Sequence, residues 1–129
     1  MDEAKRYLNC RLINAAEAGD VVGVRKAIAK GADVHFLQDR ALRVAAEKGR
    51  TAAVSALLGA GANVHALFEA AIVMAALNGH TPTVQTLIDA GADVSADYGD
   101  ALRGAIEKGH TETARVLRDA GAKLPDDAA

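Results

Sequence analysis

The sequence has little of several residue types, and each shortage excludes a class of protein. A single cysteine among 129 residues excludes an intramolecular disulfide bond and any metal site built from several cysteines. Tryptophan is absent, aromatic residues make up 3% of the chain, and the net charge is −2, so a basic nucleic-acid-binding surface with stacking rings is not expected. No apolar run is long enough to cross a bilayer, and the charged N-terminus MDEAKRYLNC does not resemble a secretory signal. These absences predict a small cytoplasmic domain that binds neither nucleic acid nor a membrane.

What the sequence does have is an internal repeat with a period of 30 residues. Eight of the 12 glycines lie on two series with this spacing. The two series are Gly19, Gly49, Gly79, Gly109 and Gly31, Gly61, Gly91, Gly121. The spacing predicts one domain over residues 1–129, made of repeats 1–30, 31–60, 61–90 and 91–120 with a tail at 121–129.

Within each repeat the apolar residues predict a helix, a turn and a second helix. In the second repeat Leu42, Ala45 and Ala46 lie at i, i+3 and i+4, on one face of a helix. Asp39 precedes this helix as a candidate N-cap, and a second helix is expected from about Thr51. One helix pair cannot bury its apolar face alone, so the pairs must stack. The predicted fold class is therefore all-α, a solenoid of four stacked helix–turn–helix repeats.

Short motifs recur at fixed positions of the repeats. The first helices end in AAEKG, AALNG and AIEKG, the second helices begin with Gly-His-Thr at 79–81 and 109–111, and the loops contain Gly-Ala-Asp-Val. With these motifs the chain resembles the ankyrin repeat family over nearly its whole length. The unit is three residues shorter than the usual 33, and the loss falls between Val34 and Leu42. The resemblance therefore implies an ankyrin-type solenoid with shortened inter-repeat loops, a curtailed β-hairpin finger, and a non-catalytic function in protein–protein interaction.

The end repeats are expected to carry polar residues, because each lacks a neighbour on one side. Arg118 stands where the inner repeats have Leu58 and Ile88, and the first repeat opens with charged residues on an extended first helix. These substitutions predict a complete, capped array.

The chemically reactive residues do not form a catalytic or metal-binding constellation. The family resemblance implies that His80 and His110 tie the turn between the two helices of a repeat. His35 and His65 are expected to be solvated loop residues, and Cys10 a semi-buried structural thiol. We therefore predict no enzyme activity, no metal, no cofactor and no small-molecule substrate.

The family resemblance implies that a partner binds the concave face formed by the loops and the first helices. The predicted partner-binding residues are Leu37, Gln38, Arg43, Glu47, Leu67, Phe68, Val73, Leu77, Tyr98, Arg103 and Glu107. Val73 and Leu77 are apolar where the neighbouring repeats have arginine and glutamate. An exposed apolar patch often marks an interaction site; alternatively, the shortened loops bury these two side chains within the monomer.

Charge is divided unevenly along the chain. The first two repeats are basic, and the third repeat and the last repeat with its tail are acidic. A partner would meet an apolar centre flanked by opposite charges, which is the usual anatomy of a protein interface. The predicted function is binding of a macromolecular partner, most simply a protein. The alternatives are a stand-alone inhibitor or immunity-type factor that blocks an enzyme, and a self-associating homodimer.

Overall fold

A computed structural model describes residues 2–124, apart from the side chain of Tyr98. This part of the chain forms eight helices and no strand. They are α1 (Glu3–Ala18), α2 (Val21–Ala29), α3 (Phe36–Glu47), α4 (Thr51–Gly59), α5 (Ala66–Leu77), α6 (Thr81–Asp89), α7 (Ala96–Glu107) and α8 (Thr111–Asp119). The predicted tail at 121–129 is described only as far as residue 124.

The helices form two layers that run the length of the repeat array. The first helices α1, α3, α5 and α7 contact one another in order, and the second helices α2, α4, α6 and α8 do the same. Each first helix also contacts the second helix of its own repeat. The predicted all-α solenoid is confirmed. None of the helices within residues 2–124 is long and apolar enough to cross a membrane.

The core consists of columns of equivalent residues, one from each repeat. The column at the centre of the first helices contains Leu12, Leu42, Ile72 and Leu102, each no more than 1% exposed. Ala45, Ala75 and Ala105 are fully buried beside them. Small side chains at these positions allow the helix pairs to approach closely.

Hydroxyl groups add polar ties between the second helices. The Thr51 and Thr83 hydroxyls lie 2.7 Å apart, and the Thr81 and Thr113 hydroxyls repeat this contact one unit later. Thr83 and Thr113 are buried, so each tie satisfies a polar group that would otherwise be costly to bury. The second helices begin at Thr51, Thr81 and Thr111, where the sequence predicted their start.

The end repeats agree only partly with the expected polar character. The first helix is extended, with 16 residues in α1 against 12 in α3, and Arg118 is exposed on α8. Ile106, however, is 42% exposed on α7, whereas the equivalent Ala46 and Ala76 are fully buried. The expectation of polar substitutions at the end repeats is wrong at this position.

Candidate functional site

The entry into α3 is not the ordinary capped helix start that the sequence predicted. Leu37, Gln38 and Asp39 all adopt left-handed backbone conformations, with φ between 54° and 58°. The same turn recurs at Leu67–Glu69 in α5. The predicted N-cap role of Asp39 is wrong, because this residue lies inside the left-handed turn and its side chain is bonded elsewhere. The turn lies between Val34 and Leu42, where the repeat is three residues shorter than the usual unit.

Each left-handed turn is held by a buried carboxylate that reaches the next repeat. Asp39 Oδ2 accepts a hydrogen bond of 2.6 Å from the backbone N–H of Asn63, and Glu69 Oε2 accepts one of 3.2 Å from that of Asp93. In the first repeat Asn9 Oδ1 accepts the equivalent bond from Asp33 at 2.7 Å. A polar side chain at this position therefore fixes the start of the following repeat.

The turn in the second repeat is also held by Arg43. Its guanidinium donates to the backbone carbonyls of Leu37 at 2.7 Å and Gln38 at 2.9 Å. Left-handed backbone costs roughly 1–2 kcal/mol for each residue other than glycine, so these bonds must offset a considerable strain. The consequence is a turn whose backbone is held in one conformation.

Two of the histidines, His80 and His110, form hydrogen bonds between adjacent repeats. His80 Nε2 donates to the carbonyl of Glu47 at 2.9 Å, and His110 Nε2 to that of Leu77 at 3.1 Å. These bonds connect one repeat to the preceding one, so the predicted tie within the repeat is wrong. His35 and His65 have exposed side chains, but their Nδ1–H groups donate to Asp39 and Glu69.

The predicted partner-binding residues fall into three groups by their place in the fold and their exposure. Leu37, Gln38, Leu67 and Phe68 are exposed at the turns, Arg103 and Glu107 are exposed on α7, and Arg43, Glu47, Val73 and Leu77 are half-buried. The side chain of Tyr98 lies outside the described residues. We call the apolar members of the first group (Leu37, Leu67 and Phe68) the turn-tip patch. Phe68 is 81% exposed, more than any other large apolar side chain that the structure describes.

Val73 and Leu77 are neither fully exposed nor covered by the loops. Val73 packs in part against the core. Leu77 lies against Gly104 of α7, where an added Cβ would come within 3.1 Å of Leu77 Cδ1. The leucine is thus matched to a glycine of the next repeat, and its apolar character has a stacking reason that the sequence pattern did not reveal.

Arg40 and Arg43 lie side by side on α3 without a carboxylate partner. Among residues 2–124, neither guanidinium has a carboxylate oxygen within 4.0 Å. Burial, together with the charge of Arg40, lowers the pKa of Arg43 below its ordinary value. In the fourth repeat the equivalent positions hold Asp100 and Arg103, which form an ion pair.

A cleft of about 270 Å³ lies between α1 and α3 next to Arg40. It is lined by Cys10, Ile13, Asn14, Glu17, Phe36, Leu37, Arg40 and Val44. The sequence prediction did not include the α1 residues, although the 30-residue period makes Cys10 and Ile13 equivalent to Arg40 and Arg43. Cys10 is exposed, so the expected semi-buried thiol is wrong. Within residues 2–124, no group of three or more His, Cys, Asp or Glu side chains is arranged to hold a metal ion.

Comparison with known protein families gives one result that agrees with this geometry. A family model for ankyrin repeats, in three copies, matches residues 42–127. Curated protein sequences give no significant match. The match covers about two thirds of the chain and includes all four helices of the third and fourth repeats.

Proposed function

Because the chain belongs to the ankyrin repeat family, we propose that it binds a protein partner through the face formed by its first helices and left-handed turns. Ankyrin repeats are generally modules for protein–protein interaction, and the family is typically non-catalytic. The proposed surface combines the turn-tip patch with the half-buried apolar residues Val73 and Leu77. It corresponds to the concave face that the family resemblance implies.

The observation that supports this surface most strongly is the exposure of Phe68. Its ring is 81% exposed at the tip of a turn whose three residues are all left-handed. Strained backbone of this kind persists only where surrounding contacts fix it, and it is concentrated at binding and catalytic sites. Because the backbone that carries this ring is already fixed, a partner that covers the ring does not have to order the turn. Phe68 therefore has the character of an interface anchor.

The proposal is tested by Phe68→Gln, which copies Gln38 at the equivalent position of the second repeat. Gln38 already adopts the same left-handed conformation, so the free energy of unfolding should change by less than about 0.5 kcal/mol. The affinity for a protein captured from the native host with the tagged wild-type chain should fall at least about tenfold. Val22→Gln is the matched control, because Val22 is 63% exposed on α2 in the other helix layer.

Two results would contradict the proposal. One is a folded Phe68→Gln variant that keeps full affinity for the captured protein; the other is equal loss of affinity in Val22→Gln. Mass in solution at micromolar concentration identifies the homodimer alternative, in which Phe68→Gln shifts the chain towards the monomer. The inhibitor alternative requires the captured protein to be an enzyme that loses activity when it is bound.

A further inference from the structure

The cleft between α1 and α3 combines apolar walls with unpaired positive charge. Ile13, Leu37 and Val44 supply apolar surface, and Arg40 lies at the same cleft. Arg40 makes no hydrogen bond or ion pair among residues 2–124. Arg43 uses two of its five N–H donors on the turn carbonyls and has three left.

The carboxylates near the two arginines form no ion pair with either of them among residues 2–124. Asp39 is engaged by His35 and by the backbone N–H of Asn63. Glu17 lines the cleft, but its carboxylate is not within 4.0 Å of any cationic group in the described residues. Burial and the adjacent charge of Arg40 disfavour the charged form of Arg43 more strongly than the Asp39 carboxylate favours it, so a negative group placed between the two arginines would relieve their repulsion.

In the fourth repeat, the arginine equivalent to Arg43 is neutralised by a carboxylate of the same chain. There Asp100 replaces Arg40 and pairs with Arg103. The second repeat keeps the arginine of the pair and has a second arginine in place of the acid. The missing negative charge is the feature that a partner can supply.

We propose that this cleft binds a segment of the partner protein in which an acidic side chain lies next to an apolar one. The carboxylate contacts Arg40, which lines the cleft, and the apolar side chain enters between Ile13, Leu37 and Val44. Guanidinium groups recognise carboxylates through paired, charge-assisted hydrogen bonds, which gives such a site geometric selectivity. This inference rests on the proposed function and names the kind of partner that the first-helix face selects.

The test uses random short peptides displayed in a library and selected on the wild-type chain. Selected peptides should carry an acidic residue beside an apolar residue. A synthetic peptide of the selected sequence is then titrated against variants by fluorescence anisotropy. Arg40→Asp, which copies Asp100, should weaken binding at least about tenfold, and so should Leu37→Asp, which copies Asp97 at its left-handed position.

The matched control is Arg25→Asp, which makes the same change of charge at an exposed position of α2. It should alter the affinity by less than about twofold, because exposed charges separated by more than a Debye length are largely screened. Rising salt should weaken the wild-type complex more than the Arg40→Asp complex. Circular dichroism of each variant verifies that the helices are retained.

Three outcomes would overturn the inference: selection of no peptide, selection of peptides without an acidic residue, or equal binding to wild type and Arg40→Asp. Loss of binding in both Arg40→Asp and Arg25→Asp would also overturn it, since that result indicates a general charge effect. None of these outcomes decides the proposed function, which depends on Phe68→Gln and the captured protein. A failure of the cleft can therefore be distinguished from a failure of the binding face.

Discussion

At the scale of single residues, the histidines explain why glycine is required at the turn between the two helices. Gly49 has a φ of 72°, a conformation that favours glycine. A Cβ at Gly49 would also lie 2.6 Å from His80 Nδ1. The ring occupies this space because its other nitrogen donates to the Glu47 carbonyl. The glycine thus serves both the turn and the tie between repeats.

Gly49→Ala should therefore destabilise the protein through two separate effects. The left-handed backbone penalises alanine by about 1–2 kcal/mol, and displacement of the His80 ring weakens a hydrogen bond worth about 1 kcal/mol. Thermal and chemical denaturation should show a loss of about 2–3 kcal/mol. Gly59→Ala is the control: Gly59 is helical with nothing within 4 Å of an added Cβ, so stability should rise by up to about 1 kcal/mol. Equal effects of the two substitutions would contradict this explanation.

At the scale of elements, helices could be predicted from the sequence and the left-handed turns could not. Local signals determine the helix starts at Thr51, Thr81 and Thr111, because each follows a glycine turn and begins an apolar period. The turn at 37–39 contains no glycine. Its conformation depends on bonds to Asn63 in the next repeat and to Arg43 further along α3. Contacts made at a distance in sequence leave no periodic pattern.

The candidate surface was predictable to a similar extent. The departure of the third repeat from its neighbours correctly pointed to Leu67 and Phe68 as exposed residues. The half-burial of Leu77 was missed, because it depends on the absence of a side chain at Gly104 in another repeat. The cleft beside Arg40 could not be predicted from one repeat alone, because half of its lining residues come from α1 in the preceding repeat.

If the Asp39 side chain holds the turn, Asp39→Ala should lower the free energy of unfolding more than Asp39→Asn. Asp39→Ala removes the acceptor and leaves the Asn63 N–H and the His35 Nδ1–H without their partner, which should cost about 1–3 kcal/mol. Asp39→Asn copies Asn9, the residue that makes this bond in the first repeat, and Asn tolerates left-handed backbone. Its loss in the free energy of unfolding should be smaller, below about 1 kcal/mol. An alanine variant as stable as the asparagine variant would show that the carboxylate bond does not hold the turn.

At the scale of the whole molecule, the stacked arrangement requires the repeats to unfold together. Each helix pair buries its apolar surface against its neighbours, and the main contacts between helices lie within a repeat or between adjacent repeats. Repeat arrays need at least about three units for stability. Opening the third repeat would leave two repeats on one side and one on the other, and both pieces are shorter than this minimum. Opening the second repeat would leave pieces of the same two lengths, so the array depends on both of its inner repeats.

Ile72→Ala tests this cooperativity, because Ile72 is fully buried at the centre of the third repeat. Truncation of a core isoleucine to alanine costs about 2–5 kcal/mol. Denaturation should remain a single transition at lower denaturant concentration, and amide hydrogen exchange should accelerate in α2 and α8 as well as in α5. Val22→Ala is the control, since Val22 is 63% exposed and its truncation should change stability by less than about 0.5 kcal/mol. If exchange in α2 kept its wild-type rate while α5 opened, the first two repeats would be stable alone, and the array would behave as independent halves.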